Sequence, residues 1–285
     1  MSDRPAGKDE SIIVKLGTLP PNKYFWVHLA GIILMFIPLI YPLGLPVQTS
    51  QPVIDYHRTI ENLPEGSVVA VSFGAAASLL DEQEAQFLAT WKILFSNKLK
   101  VIFYSTTEDS NIILNRHLET MVKPSNYGYT YGVDYVLLGY SPLGEAGQSA
   151  FVRNIRSLYP VDYYGTPLDN IPLMKNINDQ SGVDLIIFEY TSCTDVEWVI
   201  RQWVVPFNKP ALITTLGCCG PMAAPYYPSQ IKGFLTGSGA GTEIEVVSGF
   251  PGPGAAMSDS KSLGILPWLA SMVFANLAWF LRRSK

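Results

Sequence analysis

The sequence predicts an α/β domain on a parallel sheet, flavodoxin-like or Rossmann-like, flanked by an N-terminal and a C-terminal transmembrane helix. Three observations carry that reading. Two apolar stretches without a charge, residues 24–45 and 262–281, bracket the chain. Between them, short β-branched runs alternate with stretches of helical period. Of 285 residues, 48% are apolar and only 15% charged, and mean hydropathy is +0.17. Soluble domains carry about 25% charge.

Residues 24–45 are long enough, at ~1.5 Å rise per residue, to cross a hydrocarbon layer of ~30 Å. Tyr24, Trp26 and Tyr41 stand where aromatic rings favour the two interfaces. Pro38 and Pro42 are expected to kink or end this helix. The run exceeds a signal-peptide core and no small-x-small cleavage site follows, so it reads as a retained anchor. His28 reads as a structural residue near headgroup depth. Residues 262–281 form the second span, with Trp268 and Trp279 near its ends and Arg282, Arg283 and Lys285 behind it.

Positive charge sets orientation. Arg4, Lys8, Lys15 and Lys23 precede the first span, and three basic residues follow the second. Tails 1–23 and 282–285 therefore read as cytoplasmic, and residues 46–261 as an extracytoplasmic domain. That domain holds 13 Lys+Arg against 21 Asp+Glu, a net −8, which with +1 and +3 on the tails gives the whole-chain −4. An acidic domain has no electrostatic footprint for nucleic acid. The C-terminal basic cluster suits anionic membrane lipid.

Within the domain, residues 53–63 suggest a short helix in a juxtamembrane connector, with His57 at the surface. Residues 67–73 (SVVAVSF) read as a strand buried on both faces. A helix over 82–95 follows, capped by Asp81, with Phe87, Trp91 and Leu94 on one side. Residues 100–105 form the second strand. A helix over 111–122, capped by Ser110, buries Ile113, Leu114, Leu118 and Met121, with His117 in a structural role. Residues 134–140 and 183–190 are the third and fourth strands, each followed by a helix (145–158 and 195–204), and 210–215 is the fifth. Residues 159–172 form a long aromatic excursion, a place where function often resides. Strands alternating with helices imply a parallel sheet.

Ligands of such sheets bind beyond the carboxyl ends of the strands. The residues expected there are Ser72, Gly74, Thr106, Thr107, Ser141, Thr191, Ser192 and Gly217. The edge is rich in hydroxyls and thiols and poor in charge, with Glu108 and Asp109 the one acidic pair. Residues 73–77 (FGAAA) lack the GxGxxG spacing that lets a pyrophosphate approach the backbone. Cys193 follows the fourth strand, and Cys218 and Cys219 follow the fifth. If those strands are neighbours, a disulfide joins Cys193 to Cys218 or Cys219; inert thiols, or a metal or nucleophile role, are the alternatives. A Cys–His nucleophile would need His57 or His117 beside Cys193. Neither Cys nor His supplies a fourth ligand at zinc spacing, so no metal is expected, and no cofactor motif is present.

Gly233, Gly237 and Gly241 recur every four residues, as a close-packing stripe if helical or as a Gly-rich loop if not. Asn276 is the strongly polar side chain of the second span and is expected to seek a partner in the first span or in another chain. The leading expectation is a non-catalytic, membrane-anchored subunit whose outer domain is a scaffold or docking surface. Its partners would be membrane lipid and other membrane-protein subunits, a second copy of the chain among them. The alternatives are a small-ligand sensor using the sheet-edge crevice, and a hydrolase or transferase using Cys193, Cys218 or Ser192.

Overall fold

The computed structural model describes Ile12, Lys15, Thr18 and residues 20–283. Arg4, Lys8 and Lys285, part of the orientation argument, lie outside the described residues. The chain divides into two compact units: Pro46–Gly254, and the terminal segments up to Leu45 and from Ala255.

The terminal unit holds α1 (Pro21–Ile40) and most of the long helix Pro253–Arg283. Both are long and apolar enough to cross a membrane, which points weakly to membrane association. α1 ends earlier than the 24–45 run: Pro38 lies inside it and Pro42 beyond it. The two helices touch where side chains are small. A Cβ on Gly31 would sit 3.3 Å from the Gly264 carbonyl and 3.4 Å from Trp268 Nε1. His28 donates from Nδ1 to the Tyr24 carbonyl, and its ring lies edge-on to Trp268, centroids 4.1 Å apart. Asp259 is buried and accepts three backbone N–H groups, from Leu43 and Gly44 at 2.8 Å and Leu45 at 3.1 Å. Ser260 adds a bond to the Met35 carbonyl at 2.7 Å. These contacts tie the end of one apolar segment to the start of the other. Asn276 is exposed and donates one helical turn back, to the Met272 carbonyl, not to the first helix.

The larger unit is α/β with a six-stranded, all-parallel sheet. Its elements are α2 (Gln51–Glu61), β1 (Val68–Gly74), α3 (Leu80–Ser96), β2 (Lys100–Ser105), α4 (Glu108–His117), β3 (Tyr135–Tyr140), α5 (Gly144–Arg153), β4 (Leu185–Tyr190), β5 (Ala211–Thr215), β6 (Gly233–Thr236) and α6 (Gly237–Ser248). The strand order is β3-β2-β1-β4-β5-β6, so the winding reverses between β1 and β4. Successive side chains alternate faces, as strand geometry requires. Val69, Val71 and Phe73 of β1 join Leu185 and Ile187 of β4 in one core. Ala70 joins Ile186, Phe188 and Tyr190 in the other. In the first core Trp91 of α3 lies among Phe73, Phe87 and Phe103, at centroid distances of 5.3, 4.9 and 5.4 Å. In the second, Trp203 packs on Phe151 and Tyr104 stacks on Phe151 at 3.9 Å. Fully burying an apolar side chain of this kind contributes roughly 1.5–3 kcal/mol.

Several elements differ from expectation. α3 begins at Leu80, so Asp81 lies in its first turn, where it complements the helix dipole. α4 begins after Thr107, with Glu108 and Asp109 in its first turn and Ser110 inside it. Its continuation, Leu118–Val122, winds as a π-helix, which turns Met121 outward (46% exposed) and Val122 inward. The helix expected over 145–158 breaks at Asn154. The one over 195–204 is α-helical at Val196–Val199 and π-helical at Ile200–Val204. α2 is more than a connector: Tyr56 is buried and its backbone lies against Gly233 of β6. His57 is correspondingly buried and faces Glu61 at 3.3 Å.

Candidate functional site

The reversal between β1 and β4 puts Gly74 opposite Tyr190 at the carboxyl edge of the sheet. This is where a doubly wound sheet leaves a crevice. Here the chain fills it. The Tyr190 ring lies directly over Gly74, and a Cβ at that position would sit 2.5 Å from two ring carbons. The Tyr190 hydroxyl meets Ser72 Oγ at 2.8 Å and Thr106 Oγ1 at 2.6 Å, and accepts from Gln148 Nε2 at 3.0 Å. Gln148, on α5, also donates to Ser72 Oγ at 2.7 Å and accepts from the Tyr104 hydroxyl at 2.6 Å. Every one of these groups is buried. Burial pushes the Tyr190 phenol far above its ordinary range, so it stays protonated. A connected buried network of this kind is rigid, because removing one member strands its partners at about 1–3 kcal/mol each.

The other edge residues also bond within the chain. Thr191 Oγ1 donates to the Gly74 carbonyl at 3.2 Å and accepts from Ala76 N–H at 3.1 Å. Thr107 precedes α4 and pairs with Ser110, whose hydroxyl reaches the Ala75 carbonyl at 2.9 Å. Ser141 is buried, and its N–H bonds the Ser105 carbonyl at 3.0 Å. Ser192 pairs with Thr194 at 3.0 Å. Gly217 N–H donates to Glu82 Oε1 at 2.7 Å.

β4 and β5 are neighbours, with Tyr190 opposite Thr215, and the loops beyond them bring all three cysteines together. Cys193 and Cys219 form a disulfide, and Cys218 is a free, exposed thiol. The Cys218 sulfur lies 3.8 Å from both Cys193 Sγ and Cys219 Sγ. The histidines engage elsewhere: His117 donates from Nδ1 to the Ile113 carbonyl and pairs through Nε2 with Glu84 at 2.7 Å, and His57 faces Glu61.

The three glycines do not form one helical stripe: Gly237 and Gly241 lie in α6, Gly233 does not. Gly233 lies in β6, where a Cβ would fall 2.5 Å from the Tyr56 backbone. Gly237 opens α6 at φ +68, with Gly217 Cα 3.1 Å from where its Cβ would be. Gly241 lies within α6, a Cβ there falling 2.7 Å from Ala85 Cβ of α3. Each position needs glycine, but for three different approaches.

The aromatic excursion covers the β3 edge: Tyr163 N–H donates to the Leu137 carbonyl at 2.8 Å. Asp162 holds its turn, accepting from Tyr164 N–H, Thr166 N–H and the Tyr131 hydroxyl. A cleft of about 410 Å³ lies beside it, lined in part by Asn111, Gly139, Tyr140 and Tyr163.

Sequence reasoning passed over Tyr190, Gln148 and Glu189. Glu189 is the one acidic residue of the β4 run LIIFEY. It is buried, accepts from Trp91 Nε1 at 2.9 Å, and has no hydrogen-bond partner for Oε1 among the described residues. Burial pushes its carboxyl up to about 8. A charged residue inside an apolar strand was the available signal.

Comparison with protein-family models, curated proteins and solved structures finds no match to this chain.

Proposed function

We propose that this chain is a non-catalytic, membrane-anchored subunit whose extracytoplasmic α/β domain is a scaffold or docking surface for other membrane-protein subunits. The observation that carries the reading is Tyr190 seated over Gly74. In a Rossmann-like order this is the ligand crevice, and here an aromatic ring, two hydroxyls and a buried amide occupy it. A rigid, self-satisfied edge suits a domain that presents its outer surface.

The terminal unit supports anchoring. Phe25, Ile40, Trp279 and Phe280 are 60–85% exposed, an apolar surface suited to lipid. The basic residues outside the spans support a topology with both termini in the cytoplasm and residues 46–261 on the far side of the cell membrane. Asn276, exposed on the second span, offers an amide to another chain in the bilayer.

Extraction in mild detergent, followed by sizing with light scattering, is expected to give a particle larger than one chain plus micelle. A lone monomer in every mild detergent would overturn the subunit reading. Orientation is read at the exposed Lys175. Protease added outside intact cells should cut there, and cleavage confined to inverted vesicles would reverse the topology.

A further inference from the structure

We propose that Cys193, Cys218 and Cys219, once their disulfide is reduced, form a three-thiolate site for a thiophilic divalent cation of the zinc class. The site stands independently of the docking role.

The sulfur geometry points to it. Cys218 Sγ is 3.8 Å from each sulfur of the Cys193–Cys219 bond. A tetrahedral zinc with metal–sulfur bonds of about 2.3 Å has sulfurs about 3.8 Å apart. Two of the three edges of a coordinating triangle therefore already have their final length. The third edge is the disulfide, which opens on reduction. All three sulfurs lie within 4.8 Å of one another.

The same geometry argues against intramolecular exchange. Displacement at a disulfide requires the attacking thiolate in line with the bond being broken. Equidistance puts Cys218 abreast of the bond. Three sulfurs within 4.8 Å of one another suit a shared cation better than a nucleophile and its target.

The scaffold holds the ligands. Cys193 lies three residues beyond β4 and Cys218 three beyond β5, and those strands are hydrogen-bonded to their last residues. Glu82 accepts the N–H of Gly217 at 2.7 Å and so pins the backbone immediately before Cys218. Cys218 is exposed, giving the cation a path in. Three protein ligands leave a fourth position for water or an exogenous ligand.

The chemistry balances in two steps. A dithiol reductant donates two electrons and two protons, becoming a disulfide while the Cys193–Cys219 bond becomes two thiols. The cation then replaces three S–H protons with three metal–sulfur bonds, and the protons pass to solvent, so binding strengthens as pH rises. The disulfide is thus a lock on the site.

The test uses the full chain in detergent, reduced anaerobically with a phosphine that adds no competing thiol. Titration with Cd²⁺ is expected to raise a thiolate-to-metal charge-transfer band that saturates at one equivalent and is displaced by Zn²⁺. The oxidised chain should show no such band. Cys218→Ser keeps the disulfide, verifiable by non-reducing peptide mapping. After reduction it should bind Cd²⁺ more weakly by at least the roughly 10–100-fold that loss of a mere outer-shell partner costs. No band in the reduced chain, or unchanged affinity in Cys218→Ser, would overturn the proposal. So would loss of the native near-ultraviolet circular dichroism on reduction, because the site needs both loops held by the sheet.

Discussion

Replacing Glu189 by glutamine should stabilise the α/β unit at neutral pH, by an amount that grows with pH. Glu189 is 1% exposed, with Trp91 N–H as its hydrogen-bond donor. Burial raises its carboxyl from 4.5 to about 8, and the Trp91 bond offsets only part of that rise. Below pH 4.5 both the folded and the unfolded chain hold the proton, and the group imposes no penalty. Between 4.5 and about 8 the unfolded chain releases a proton that the folded chain keeps, so stability falls as pH rises. At about 1.4 kcal/mol per unit, the loss is about 3 kcal/mol by pH 7 and on the order of 5 kcal/mol by pH 8. Glutamine keeps the shape and an oxygen for Trp91, and it never ionises. Its amide donors resemble the protonated acid in lacking an acceptor, so that cost largely cancels. Urea unfolding of the full chain in detergent, followed by tryptophan fluorescence at pH 5, 6, 7 and 8, measures the difference. The variant should match the parent near pH 5 and pull ahead at each step. A gap that does not change with pH, or a variant that is less stable throughout, would refute a neutral, buried Glu189.

Gly74→Ala should lower the melting temperature, since its Cβ would press on the Tyr190 ring at 2.5 Å, an overpacking worth about 1–3 kcal/mol; Tyr190→Phe should cost a similar amount by taking the hydrogen-bond partner from the buried Thr106 hydroxyl and one of two from Ser72 Oγ, and unchanged melting in both would mean that the crevice is not sealed as described. Gly233→Ala should loosen α2 from β6, because the added carbon meets the Tyr56 backbone at 2.5 Å, read as faster amide exchange across Gln51–Glu61. His117 titrates above 6.5 because Glu84 accepts its hydrogen bond; its contribution is fully present below 6.5 and is lost as pH rises through the folded value. Glu84→Gln should bring the His117 titration down, as followed by NMR. Native thiol labelling should modify Cys218 alone, and labelling after denaturing reduction should modify all three cysteines.

How much was legible in the sequence depends on the length scale of each signal. The β-branched runs at 67–73, 100–105, 134–140, 183–190 and 210–215 announce five strands because a strand buried on both faces must be apolar throughout. β6 carries no such mark. It has four residues, Gly233–Thr236, begins with a glycine, and runs directly into another glycine at α6. Its periodicity is too short to separate from a helix or a loop. Met121 was misassigned for a related reason: a π-turn shifts the helical phase, and periodicity assumes a constant one.

The sequence by itself determined the apolar terminal segments and the parallel α/β character of the middle, and it brought Cys193 to the vicinal pair on the condition that the fourth and fifth strands are neighbours. Each follows from local composition or from the rule that strands end at a common edge. Tertiary structure decided the pairing of Cys193 with Cys219, the burial of Glu189 against Trp91, and the closure of the crevice by Tyr190. Those depend on which strands lie side by side and which rotamer fits between them. Residues 74 and 190 are far apart along the chain, and only the strand order β2-β1-β4 sets a glycine under a tyrosine ring.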